Sequence, residues 1–223
     1  MGAASSPNRF RVRLVFEKTA AARHLSHADS IRVWERSFRR AGVPLAYSGG
    51  FAPRPQIRFG PPVPVGYEAH EELLDAILER PVDGLWMIGE LNRSLPEGLR
   101  VRQALQTGDS PASLMSSARS AVYEVSLASP PADLGSRISA FLAMETAPVQ
   151  VQRRLGGGRT LDLRPEVLDL SVSDAGALRM VLRLGHGAAC RPEDVAAALG
   201  LSASRIVRLS VRYDFGVDGD RRS

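Results

Sequence analysis

The residues best suited to chemistry stand together near the start of the chain, in the run Arg23-His24-Leu25-Ser26-His27-Ala28-Asp29. Two imidazoles three apart, an arginine and a helix-starting serine are the parts of a phosphate site. A helix N-terminus offers unpaired N–H groups and partial positive charge to an anion, and a histidine can move a proton near neutral pH. The same residues also have a plain structural use. Ser26 can cap a helix, Asp29 sits at the third helical position as an Asp variant of the capping box, and His24 and His27 can pack and hydrogen-bond. No metal is assigned to His24, His27 and Asp29, which fall short of the four ligands of a closed structural site, and neither His70 nor His186 is placed nearby by the sequence.

Downstream, Arg32, Arg36, Arg39 and Arg40 recur at i, i+4, i+7 and i+8. On a helix they form one basic stripe, either a track for phosphates or a solvated face with Glu35 beside it. The stretch from 47 to 58 then interleaves aromatic and basic residues: Tyr47, Ser48, Gly50, Phe51, Pro53, Arg54 and Arg58. Glycine permits close backbone approach, the prolines stiffen the loop, and rings can stack on unpaired bases. The structural alternative makes Phe51 a plug for the core. Gly156-Gly157-Gly158-Arg159 reads as a hairpin turn. The run from Gly185 through His186 to Cys190 reads as a strand–helix loop, and nothing marks Cys190 as reactive.

These residues need elements to hold them. Phe10, Val12, Leu14 and Phe16 alternate with Arg11 and Arg13, which predicts a strand with one wet face. Ile31, Trp34, Phe38 and Ala41 recur at helical spacing after Ser26, and Gly42 with Pro44 ends that helix. Strands are expected at 56–63, 73–78 (with a helix as the alternative there) and 99–105, with a helix at 83–94 carrying Leu85, Trp86, Ile88 and Leu91. That order is βαββαβ, the ferredoxin-like plan. The second half repeats it: strands at 121–127, 149–155, within 161–174, at 178–184 and at 205–215, and helices at 133–144 and 191–199. The expected fold is therefore α+β, two tandem ferredoxin-like halves with antiparallel sheets. The halves span 9–106 and 121–215, joined by a linker at 107–120 and followed by a disordered tail at 216–223.

Charge and composition narrow the function. The chain has 223 residues and a net charge of +5, and of its 29 basic residues only Lys18 is not arginine. The first 60 residues hold eleven basic and three acidic side chains, whereas residues 61–100 hold eight acids against three arginines. Such polarity suits an anionic partner, RNA above all, on the expectation that the early arginines converge on one surface. One cysteine excludes both an internal disulfide and an iron–sulfur cluster held by this chain alone. No apolar run reaches the 18 residues of a membrane span. The start is short, polar and unlike a signal peptide, so the cytoplasm is the expected compartment.

Several segments together resemble a bacterial radical-SAM-linked family with a domain of unknown function. They are residues 23–29, Arg39-Arg40-Ala41-Gly42-Val43-Pro44, Tyr47-Ser48-Gly49-Gly50-Phe51-Ala52-Pro53-Arg54-Pro55, the run 59–66, Leu95-Pro96-Glu97-Gly98-Leu99 and Asp162-Leu163-Arg164-Pro165. The resemblance implies a radical SAM protein of the cobalamin-domain type as partner. It carries no activity with it, and this chain lacks the CxxxCxxC of a radical SAM cluster. The expectation is a non-catalytic, cofactor-free accessory protein that binds RNA or a ribonucleoprotein. The alternatives are a metal-independent endoribonuclease using His24 or His27, and a pure protein–protein docking module.

Overall fold

The computed structural model describes residues 9–108, 112–153, 156–174, 176–185 and 190–215. Its contacts divide the chain into two compact units, Met1–Ser117 with Phe215–Ser223, and Ala118–Asp214. Both units mix helices with antiparallel strands, so the chain is α+β.

The first unit runs β1 (Phe10–Lys18), α1 (His27–Arg40), β2 (Ile57–Phe59), β3 (Glu68–Leu78), α2 (Gly84–Ser94), β4 (Leu99–Thr107) and the short α3 (Leu114–Ser117). Strand β1 pairs antiparallel with both β3 and β4, and β2 pairs antiparallel with β3, giving the order β4-β1-β3-β2. Because successive strand side chains face opposite sides, Val12, Leu14 and Phe16 point into one core with Leu74, Ala76 and Leu78. Trp34 and Phe38 of α1 and Met87 and Leu91 of α2 close that core from above. Full burial of each such side chain contributes roughly 1.5–3 kcal/mol.

Local chemistry sets the element ends. Ser26 caps α1, its Oγ accepting from Asp29 N–H at 3.1 Å. Gly42 follows the helix at φ +66°, a conformation that costs glycine nothing. The expected strand at 56–63 shortens to three residues. Gly60 N–H makes the last bond to Leu73 O at 3.1 Å, and Pro61 and Pro62 have no N–H to continue the ladder. Strand β3 instead extends to eleven residues. The expected core residues of α2 also change. Met87 and Leu91 are buried, while Leu85 and Trp86 are exposed in the first turn.

The second unit runs β5 (Ala118–Leu127), α4 (Leu134–Leu142), β6 (Pro148–Arg153), β7 (Gly156–Asp162), β8 (Val167–Val172), β9 (Leu178–Arg183), α5 (Pro192–Ala198) and β10 (Ala203–Tyr213). Its strands lie in the order β10-β5-β9-β8. The expected strand at 149–155 is not in this sheet. It forms a separate two-stranded ribbon, β6 with β7, and β8 takes the place beside β9. Gly156-Gly157-Gly158 belongs to β7, not to a turn. Helix α4 buries Leu134, Ile138 and Phe141, and α5 buries Val195 and Ala196. The expected tail at 216–223 and His186 lie outside the described residues. Among the described residues, no helix is long and apolar enough to cross a membrane.

Candidate nucleic-acid interface

Helix α1 has two faces. At 3.6 residues per turn, Arg32, Arg36, Arg39 and Arg40 fall within about 100° of one another, opposite Trp34, Ser37 and Phe38. All four arginines are exposed, whereas those three residues are buried. Arg32 is partly neutralised, its Nη1 lying 3.3 Å from Asp29 Oδ1. Arg36, Arg39 and Arg40 have no ion-pair or hydrogen-bond partner among the described residues. Arg39 and Arg40 occupy the last turn, where positive charge suits the helix dipole.

The residues before α1 serve structure first. A short 3₁₀ turn, Ala20–His24, joins β1 to the cap. Arg23 Nη1 lies 3.6 Å from the buried carboxylate of Glu68, and Arg23 Nε donates to His24 Nε2 at 3.2 Å. Ser26 Oγ, besides accepting from Asp29 N–H, donates to Asp29 Oδ2 at 2.6 Å. Ser26 and Asp29 thus hold the helix start, and His24 is exposed. His27 meets the ring of Phe59 edge to face, with centroids 5.8 Å apart. Among the described residues, no cluster of three or more His, Cys, Asp or Glu side chains is placed to hold a metal ion.

The loop after α1 is closed at its base and open at its tip. Ser48 N–H donates to Arg54 O at 2.9 Å, and Arg54 N–H donates to Ser48 Oγ at 3.0 Å. Tyr47 bridges to Pro55, and Gln56 Nε2 donates to Tyr47 O at 3.1 Å. Between them Gly50 takes φ +103°, and Phe51 stands fully exposed at 111%. Phe51 therefore does not plug the core. Tyr47, Pro53 and Arg54 are exposed with it, so aromatic rings and a guanidinium share one pinned loop.

The arginines of the first 60 residues do not form one surface. Strand pairing puts Arg13, Asp75 and Arg58 in a row on the sheet face away from the α1 core. Arg13 Nε and Nη2 donate to Asp75 Oδ1 and Oδ2 at 2.7 and 2.9 Å. The Arg13 guanidinium also lies 4.3 Å over the Phe215 ring. Arg9 donates to Gln56 Oε1 at 3.2 Å. Residues of odd and even number in a strand must face opposite ways, so Arg11, Arg13 and Arg58 are separated from the α1 stripe by the sheet itself.

The structure adds a site that the sequence reading overlooked. A cavity of about 30 Å³ lies at the foot of α1, lined by Phe16, Lys18, Trp34, Glu72 and Leu99 with His27, Phe59 and the 60–63 turn. Lys18 and Glu72 are only 3% and 2% exposed. Lys18 Nζ donates to Leu25 O at 2.9 Å. Trp34 is fully buried, and its Nε1–H has no hydrogen-bond partner among the described residues. Leaving such a donor unpaired costs roughly 1–3 kcal/mol. The signal was present: Lys18 follows Phe10, Val12, Leu14 and Phe16 at the next inward position of the strand, and it is the chain's one lysine.

With this geometry in hand, comparison with protein families gives one match. Residues 11–192 fit the model of a family described as "Uncharacterized protein conserved in bacteria (DUF2344)". No curated protein matches the chain.

Proposed function

The chain belongs to that family of uncharacterized proteins conserved in bacteria, DUF2344, and from there we propose that it is an RNA-binding accessory protein that works with a radical SAM partner. The observation that carries the RNA reading is the outer face of α1: three arginines without a partner among the described residues and one weakly paired one, turned away from the core. Guanidinium groups suit phosphate oxygens because their planar fork donates two bonds at once, and exposed charge on a rigid helix keeps their spacing fixed. The pinned loop adds Phe51 and Tyr47 for stacking and Arg54 for a phosphate, the combination that holds single-stranded nucleic acid.

The partner is drawn from the resemblance of the 23–29, 39–44 and 47–55 segments to radical-SAM-linked proteins. The tandem reading of the fold rests on strand order. The order β4-β1-β3-β2 with α1 and α2 supports a ferredoxin-like reading of the first unit, and β10-β5-β9-β8 with α4 and α5, the β6–β7 ribbon inserted, supports it for the second. A cytoplasmic site of action fits an RNA target. The endoribonuclease alternative has less support, because Arg23 and Phe59 already engage the two histidines.

The deciding experiment measures RNA affinity at two salt concentrations for the wild type and the Arg36→Glu/Arg40→Glu double variant. The reading requires salt-sensitive binding in the wild type and a loss of about tenfold or more in the variant. Wild-type protein that ignores RNA, or a variant that binds as well, ends it.

A further inference from the structure

We propose that the outer edge of β4 pairs with the same edge of a second copy of this chain, giving a two-fold dimer through Ala104, Leu105 and Gln106. Strand β4 ends its sheet, and its one ladder among the described residues is to β1. The neighbouring ladders fix which of its backbone groups face outward. On β3, Leu73 O accepts from Gly60 N–H and Ile77 N–H donates to Gln56 O, so both residues turn away from β1. Their partners on β1, Val15 and Arg11, therefore face β4, and the alternate residues Val12, Leu14 and Phe16 face away from it. Opposite these three lie Gln106, Ala104 and Val101, whose N–H and C=O groups thus point outward.

Such an edge is a template for another strand unless it is blocked. One end is blocked. The Asn92 amide of α2 accepts from Val101 N–H at 2.8 Å and donates to Val101 O at 3.0 Å, the two bonds a neighbouring strand would supply. The outward backbone groups of Ala104 and Gln106 have no such partner among the described residues. Apolar side chains flank this open part. Gly84 starts α2 against Ala104, so closely that an added Cβ would lie 3.3 Å from Ala104 O. The next two residues, Leu85 and Trp86, are 80% and 42% exposed, and Leu105 is exposed on the other face of the strand.

The strip is self-complementary, which makes a second copy its occupant. With an antiparallel two-fold at Leu105, Ala104 meets Gln106 of the second copy and Gln106 meets its Ala104. Both open residues of each copy are then satisfied, by four N–H···O bonds. Residues 103–107 carry no charge, and Arg102 is held by Glu17 at 2.6 Å. Arg102 falls opposite Gly108 of the second copy, so like charges are not directly opposed. The two-fold keeps both α2 helices on one side of the joined sheet, where the Leu85 and Trp86 pairs approach each other. The contact is short of the roughly 800 Å² that each partner of a standard complex buries, so association is reversible and set by concentration.

Sedimentation velocity of the full chain, over about a hundredfold range of concentration, should show monomer exchanging with dimer. Gln106→Pro removes an outward N–H and leaves the ladder to β1 intact; it should weaken association about tenfold or more. Leu85→Lys/Trp86→Lys, at exposed positions, should do the same, and it carries the test if circular dichroism shows the proline variant unfolded. Register is read by cross-linking in a Cys190→Ser background. Leu105→Cys places the two Cα atoms about 4.5 Å apart, within disulfide reach, so mild oxidation should give a covalent dimer. Gln103→Cys, about 14 Å from its counterpart, should not. Wild-type protein that stays monomeric throughout leaves the edge to a strand of some other protein and overturns the proposal. So does a dimer that the folded variants do not weaken, or one that cross-links through 103 and not through 105.

Discussion

Two arginine sets of the first unit, on α1 and on the sheet, have the same composition and opposite fates. On the outer face of α1, Arg36, Arg39 and Arg40 stand exposed and have no partner among the described residues. On the far face of the sheet, Arg13 is spent on Asp75 in a two-bond pair, with side-chain exposures of 11% and 2%. The difference teaches that a count of positive charges does not describe a basic surface. A strand arginine meets whatever acid the register brings beside it, whereas an arginine opposite a helix's core stripe meets water.

The sharpest way to break the comparison is to remove the acid. Asp75→Ala leaves the Arg13 guanidinium buried without its partner, which costs about 3–5 kcal/mol of folding stability. A urea titration read by circular dichroism checks this, and a loss under about 1 kcal/mol would show that solvent already screens the pair. The charge reversal Arg36→Glu/Arg40→Glu should cost only about 1 kcal/mol of stability, through the helix dipole at Arg40, while RNA affinity falls at least about tenfold and the slope of log affinity against log salt becomes shallower. That opposite pattern, on stability for one set and on binding for the other, is the comparison in its measurable form.

Phe51→Ala sharpens it within the binding set. A ring at a loop tip that only stacks on bases should lose roughly 1–3 kcal/mol of single-stranded RNA binding with an unchanged melting temperature. A drop in melting temperature would instead assign Phe51 a packing role. The smallest effect is expected at the cap: Ser26→Ala should cost about 1 kcal/mol of stability. RNA affinity should follow only as far as α1 frays, which can be read by comparing binding at low and high temperature.

The sequence by itself determined α1, from its Ser26 cap to Gly42, and the inward phase of β1. It also marked the aromatic and basic loop after α1. These rest on hydrogen bonds and periodicities that close within about ten residues, so the local chain contains the whole instruction. Only the tertiary structure decided that Arg13 meets Asp75 across 62 positions of sequence. It also decided that β6 leaves the main sheet for β7, and that Lys18, Glu72 and Trp34 wall one cavity. Pairing between distant strands is chosen by the fit of the whole core, and no short run of residues carries that information.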